Sequence, residues 1–410
     1  MVPQKSPNIQ HDFEQDPIQA YVDGEWVTAD RTTLGADDGI GVAIIMAVLQ
    51  SETLAAGPIE ALFTVNEEDG LDGAFGVKPG VLQSDIYVNL DWETEGSFCI
   101  GSAGGEIDVI QTAYAKVPVP DGVTAYQVSV EGLKGGHSGV DINKGRGHAT
   151  KLLVRLLKEA PQEYGLRLAG LTGGTAANAI PREASATLVL PQAQAGEFEK
   201  YVEAFEESAK QELGSVEPGL SIQATAADLP AQVMDEGDQQ SLIQGLNDTP
   251  QGVIAMSDEV PDLVETSTNM GMVQAEDGQL EVRCMPRSSV DSSLDEVGQQ
   301  ISAVWEKAGI EVSFGERFPG WAPDPDSPIL ALMQEVFQDL YGQAPGLVAV
   351  HAGLECGVIG ANYPEMDMIS VGPTLQHVHT PDERLEVASV GKLTDLLVET
   401  LGRIPEKERR

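Results

Sequence analysis

Three short apolar runs in this chain lead into residues able to hold a cation, and no other feature restricts the fold as much. Ile59 to Val65 runs into Asn66-Glu67-Glu68, Asp85 to Leu90 into Asp91, and Met368 to Val371 stands shortly before His379. Runs of this length, bounded by turn residues, read as strands. Gly39 to Gln50 is nearly all apolar and reads as a buried helix. Strands alternating with helices predict an α/β domain with a mainly parallel sheet and helices on both faces. In such sheets chemistry collects at the carboxyl ends of strands, where Glu67, Glu68 and Asp91 fall.

After Gly104-Gly105 the pattern changes. Tyr126 to Val130 alternates like a half-exposed strand, and Ala184 to Leu190, Leu220 to Ala224 and Gln279 to Met285 are further strands. His148 to Ala160, Glu197 to Glu212 and Leu294 to Ala308 read as helices. Strands with helices on one face predict an inserted α+β domain. Phe318-Pro-Gly-Trp-Ala-Pro-Asp-Pro325 makes a stiff crossing back, and a helix follows over Asp326 to Tyr341, with Pro328 at an early position. The expected division is a first domain over 1–104 and 320–410, with the insertion over 105–319.

A chain of 410 residues is too long for one simple core, and its 41% apolar content is that of a globular protein. A net charge of -41 repels phosphate, so a nucleic-acid partner is excluded. Two readings of that charge stay open: a surface adapted to high salt, or an ordinary acidic cytosolic enzyme. Cys99, Cys284 and Cys356 lie far apart and form no metal-binding motif, so free thiols in the reducing cytoplasm are expected. There is no apolar run of 18 residues, so no membrane span is expected, and the first residues hold no apolar signal core.

Several residues could carry chemistry. Asp37 and Asp38 precede the apolar helix, where acids either cap the helix or ligate a metal. Adjacent Glu67 and Glu68 point to opposite sides, so one can ligate while the other faces a substrate as a general base. Asp91, at the end of a buried strand, needs a partner, and a cation supplies one. His379 is followed by Asp382 and Glu383, and a carboxylate orienting its imidazole is expected if it ligates. Oxygen donors with imidazole suit Zn²⁺ or Mn²⁺, and two ions can share a bridging carboxylate. His377 reads as a surface residue. His137 lies among glycines in Gly132-Leu-Lys-Gly-Gly-His-Ser-Gly139, which expose the imidazole and admit a close ligand. Asn178 and Arg287 stand beside strand ends, either as surface groups or as partners for a peptide carbonyl and carboxylate.

Taken in order, these motifs resemble the M20 metallopeptidase family, in particular its Xaa-His dipeptidase branch. The similarity is carried by Leu34-Gly-Ala-Asp-Asp-Gly-Ile-Gly41, Asn66-Glu-Glu-Asp-Gly70, Gly132-Leu-Lys-Gly-Gly-His-Ser-Gly-Val-Asp-Ile142, Lys144-Gly-Arg-Gly147 and His351-Ala-Gly-Leu-Glu-Cys-Gly357. The resemblance implies a zinc-peptidase-like domain interrupted by a lid that mediates homodimerisation. It implies two zinc ions, with manganese or cobalt as other ions the same donors accept, and a small peptide substrate. In it Asp37 bridges the ions, Glu68 and His379 complete one site, Asp91 belongs to the other, and Glu67 is the general base. His137 stabilises the tetrahedral intermediate, in many relatives from the partner subunit, while Asn178, Arg287 and Gly353 hold the substrate. The pattern departs at the N-terminus, where relatives carry His-x-Asp just before Met-Val-Pro-Gln; this chain starts with Met1-Val-Pro-Gln4. The expectation is a chain lacking that motif and about 80 residues, on the order of half a typical domain. Two alternatives follow: an inactive truncated homologue, or a deacylase or tripeptidase of the same family.

Overall fold

A computed structural model describes residues 1–404 other than Asn8, Asp69, Pro161, Glu259 and Glu316. Contacts divide the chain into two compact units, Met1–Ser102 with Trp321–Arg410, and Ala103–Gly320.

The first unit is built on a four-stranded sheet in the order Gly346–Val350, Ser97–Ser102, Asp367–Ser370, Ile86–Asn89. Two of its pairings are parallel and the central one, Ser370 opposite Cys99, is antiparallel. Alternation along Ser97–Ser102 feeds two cores. Phe98 packs edge-on against Phe337 of helix Pro328–Tyr341, with ring centroids 5.6 Å apart. Cys99 turns instead to a cluster with Cys356 of helix Glu355–Asn362. Helices therefore cover both faces, as the mainly parallel α/β reading requires. Ser327 starts the helix Pro328–Tyr341 by accepting from Leu330 N at 3.1 Å, one residue after the expected first position. A second sheet, in the order Ala20–Asp23, Trp26–Ala29, Arg384–Glu386, Leu375–Gln376, is antiparallel throughout.

One expected strand is absent. Ile59 to Val65 forms no ladder, and the sheet ends at Ile86–Asn89. Its apolar residues satisfy strand propensity, but a strand also needs a hydrogen-bonded neighbour, and none of the described residues supplies one. Phe63 and Val65 are consequently exposed.

The second unit is an antiparallel sheet of ten strands, including Val123–Glu131, Ala184–Pro191, Val264–Glu276 and Gln279–Ser288. Tyr126, Val128 and Val130 point into one large core with residues of helices Ala149–Glu159, Ala195–Leu213, Glu236–Asp248 and Asp291–Glu306. Ala125, out of phase by one, meets Val189 and Val233 in a smaller cluster on the opposite face. The helices thus share one face of the sheet, the α+β arrangement read from the sequence. No helix among the described residues is long and apolar enough to cross a membrane.

Candidate active site

Asp37 follows Gly35, whose φ of 77° turns the chain into the helix Ala36–Gln50. Asp37 and Asp38 have non-helical backbones, and the peptide between them is cis. Asp38 is the capping acid: its Oδ1 accepts from Gly41 N at 3.0 Å. A Cβ at Gly41 would strike that carboxylate, which explains the last glycine of the motif. Asp37 is left for other work. Its Oδ2 lies 2.9 Å from His379 Nε2, and Glu68 Oε2 lies 2.8 Å from the same nitrogen. These three donors fall within 4.8 Å of one another.

His379 sits at the tip of a hairpin between Leu375–Gln376 and Arg384–Glu386, rather than in a strand-to-helix loop. Both His377 and His379 have positive φ, and Thr380 Oγ1 donates to His377 O at 2.7 Å to hold the turn. His377 is exposed and outside the cluster, as expected. The expected carboxylate behind His379 has a different task. Glu383 is buried, and it accepts backbone hydrogen bonds from Leu34, Gly35, Ala36 and Asp37 at 2.8, 3.1, 2.8 and 3.3 Å.

Glu67 and Glu68 lie in the turn after Asn66, whose φ is 54°. Asp91 follows Ile86–Asn89, and its N–H donates to Asn89 Oδ1 at 3.0 Å; Ser370 Oγ donates to the same oxygen at 2.6 Å. Burial, then the charges of Asp38, Asp37 and Glu67 and a hydrogen bond to Asp37, hold the Asp91 carboxyl well above the usual range. Asp37 therefore stands between Asp91 on one side and Glu68 with His379 on the other. Burial, then Glu68, Glu355 and Asp37, push Glu67 up to about 7. Asp38 is pushed up to about 7 by burial in the same way. Among the described residues none of these acids pairs with a lysine or arginine, and the one ammonium beside them, that of Met1, lies 3.4 Å from Glu68 Oε1. Like charges gathered this closely require protons or a cation. The cluster lines a cleft of about 1120 Å³ whose walls include Val42, Ile59 and Leu397.

Glu355 was not singled out by the sequence. It starts the helix Glu355–Asn362, is buried, and its Oε1 has no hydrogen-bond partner. Burial raises its pKa, and its charge acts on Asp38 and Glu67. The only signal was its place in His351-Ala-Gly-Leu-Glu355. Gly353 lies between the bend at His351-Ala352 and that helix.

In the second unit a two-stranded ribbon, Gly136–His137 with Ala179–Ile180, brings His137 beside Asn178. Asn178 contributes its carbonyl, which accepts from Ser138 N at 2.8 Å, while its side chain is exposed. His137 Nδ1 accepts from Gly139 N at 3.1 Å and Val140 N at 3.2 Å. That arrangement puts the ring proton on Nε2, which becomes a donor. Burial, then the neighbouring Arg287, lowers the His137 pKa and keeps the ring neutral. A Cβ at Gly136 would strike the Arg146 guanidinium, so this position is held to glycine. Arg146 is salt-bridged to Asp141 at 2.9 Å, and Asp141 accepts from His137 N at 2.9 Å. Arg287 is buried with no acidic partner among the described residues; its Nε donates to Ser138 Oγ at 3.2 Å, and burial pushes its pKa down to about 10. A buried guanidinium without an anion is suited to receive one.

A fold with an acidic cluster beside strand ends, and a buried arginine in a second unit, defines a hydrolase-like two-unit protein. Residues 33–403 match the model of Peptidase family M20/M25/M40, and the chain belongs to that family. It is similar to the cytosol non-specific dipeptidase of Escherichia coli (strain K12), 44% identical over 410 residues, which cover 99% of this chain and 84% of the relative. It is also similar in structure to the aminoacylhistidine dipeptidase of Vibrio alginolyticus, with a TM-score of 0.93 and 44% identity, over 100% of this chain and 83% of that one. The chain is thus a metallopeptidase-family hydrolase, and the family implies a divalent metal. The donors fit such an ion: two carboxylate oxygens and one imidazole nitrogen converge without a cationic side chain among them.

Proposed function

We propose that this chain is a metal-dependent dipeptidase that cleaves small peptides, Xaa-His dipeptides among them. The observation that carries this reading is the convergence of Asp37, Glu68 and His379, with Glu67 adjacent. Asp37, Glu68 and His379 would hold one zinc ion, and Asp37 with Asp91 a second; manganese or cobalt suits the same donors. When bound, such ions polarise a carbonyl and make water acidic near neutral pH. Glu67, with a carboxyl held near neutrality by burial, takes the proton from the attacking water and returns it to the leaving amine. His137 is assigned as the neutral Nε2–H donor to the developing oxyanion, and Arg287 as the partner of the peptide carboxylate. Asn178 and Gly353 are assigned to substrate binding by the family resemblance. That resemblance also supports a lid and dimer role for the 105–319 segment, and the mass in solution tests it. A cytoplasmic location rests on the three buried free thiols and on the E. coli relative.

The test is elemental analysis of the purified protein after dialysis against zinc, followed by an assay on Xaa-His dipeptides, other dipeptides, a tripeptide and an N-acyl amino acid. Bound zinc with dipeptide cleavage that a chelator abolishes is the expected result. A chain that holds no metal, or that cleaves only the acyl amino acid or tripeptide, would refute the proposal.

A further inference from the structure

We infer that Glu383 is a positioning residue that sets the separation of the metal donors Asp37 and His379; the inference rests on the metal-dependent reading above. The two donors are 342 positions apart in the chain, yet their side chains lie 2.9 Å apart. Nothing local in either segment brings them together. Glu383 does so with one buried carboxylate. Its Oε2 accepts from Leu34 N and Gly35 N, and its Oε1 from Ala36 N and Asp37 N, at 2.8 to 3.3 Å. Four successive backbone donors can converge on one anion because Gly35 takes a left-handed turn among them, forming an anion nest. The last donor is the peptide N–H of Asp37 itself, so the carboxylate fixes the backbone from which that ligand projects.

The other end of the link is equally constrained. Glu383 N donates to Thr380 O at 3.1 Å, and Glu383 O accepts from Thr28 Oγ1 at 2.8 Å. Arg384–Glu386, the strand that follows, pairs with Trp26–Ala29 and Leu375–Gln376. Ala36, Leu375 and Leu385 close an apolar cluster around the junction. Hydrogen bonds to an ionised acceptor are the strong class. They hold Asp37 facing the imidazole of His379 before any cation arrives, which is the preorganisation a metal site needs.

The experiment compares metal affinity, measured by chelator competition with Zn²⁺ and Co²⁺, with apo-protein melting for wild type, Glu383→Gln, Glu383→Asp and Thr28→Val. Wild-type protein that binds no metal refutes the proposed function and leaves this assignment to be decided by hydrogen exchange. With metal bound, Glu383→Gln is expected to weaken affinity about 10–100-fold while still melting cooperatively, with Glu383→Asp in between. Thr28→Val frees only the Glu383 backbone and keeps the carboxylate's four bonds, so it should weaken affinity less than Glu383→Gln does. Unchanged affinity in a folded Glu383→Gln protein overturns the inference, since a merely structural role would lower the melting temperature alone. If both Glu383 variants fail to fold, amide exchange in the wild-type apo protein decides. Protection at Leu34 to Asp37 supports the clip, and rapid exchange there overturns it.

Discussion

Replacing Asp108 by asparagine should stabilise the second unit more at alkaline pH than at pH 5. Asp108 is fully buried, and among the described residues neither carboxyl oxygen has a hydrogen-bond partner. It stands on a strand between Cys284 and Phe314. The nearest cation, Arg317, is already held by Glu106 at 3.1 Å and Asp295 at 2.6 Å. Burial, then the charge of Glu106, push the Asp108 carboxyl from 3.8 to about 7, with Arg317 opposing. The folded pKa is raised, so the unfolded chain releases this proton first as pH rises. Stability therefore falls between about pH 4 and pH 7 and is level above that. With those two values the group costs about 4 kcal/mol at pH 8 and about 2 kcal/mol at pH 5. Asparagine does not titrate; burying its unpaired amide costs roughly 1–3 kcal/mol at every pH. The difference between variant and wild type should then grow by roughly 2–3 kcal/mol from pH 5 to pH 8, cancelling the other titrating acids. Urea unfolding followed by Trp305, which is buried in this unit, gives that difference at each pH. A difference that stays constant with pH would show that Asp108 is not held protonated and would refute the reasoning.

Other outcomes follow from the same geometry. Glu67→Ala should lower turnover by about 100-fold or more while leaving bound metal unchanged, as elemental analysis and dipeptide assay would report; retained turnover removes Glu67 as the base. Arg287→Ala should raise KM for dipeptides by roughly 10–100-fold, the loss of a charged hydrogen bond, with a smaller change for substrates amidated at the C-terminus. With 65 acidic and 24 basic residues, the melting temperature should climb as KCl approaches molar concentrations. A flat response would favour the ordinary acidic enzyme over salt adaptation.

Much of the fold is legible in local pattern. The helix after Asp38 follows from its long apolar run, although Val42, Met46 and Leu49 are exposed where a buried helix is expected; the alternating strands of the second unit follow from the periodicity of their apolar residues. Reading failed where the outcome depended on a distant neighbour. Ile59 to Val65 has strand composition but forms no strand, because pairing is a property of two segments. Gly136 is held to glycine by the guanidinium of Arg146, ten positions on, a contact no local pattern announces. Asp382 or Glu383 is the carboxylate expected to orient the His379 imidazole, yet the Glu383 carboxylate serves the backbone some 346 positions back.

By itself the sequence determined the donor chemistry: carboxylates and one histidine at turns, a large acidic excess, and two kinds of secondary-structure pattern. Side-chain type and short-range period are written in the order of residues, so they can be read without the fold. Only the tertiary structure decided which donors meet. Asp37, Glu68 and His379 converge because the hairpin bearing His379 is pinned to the Leu34–Asp37 backbone by a buried carboxylate. It also decided that Asp108 lies fully buried, without a hydrogen-bond partner among the described residues. Such contacts arise from closing chain loops of hundreds of residues around two cores, and no local periodicity encodes that closure.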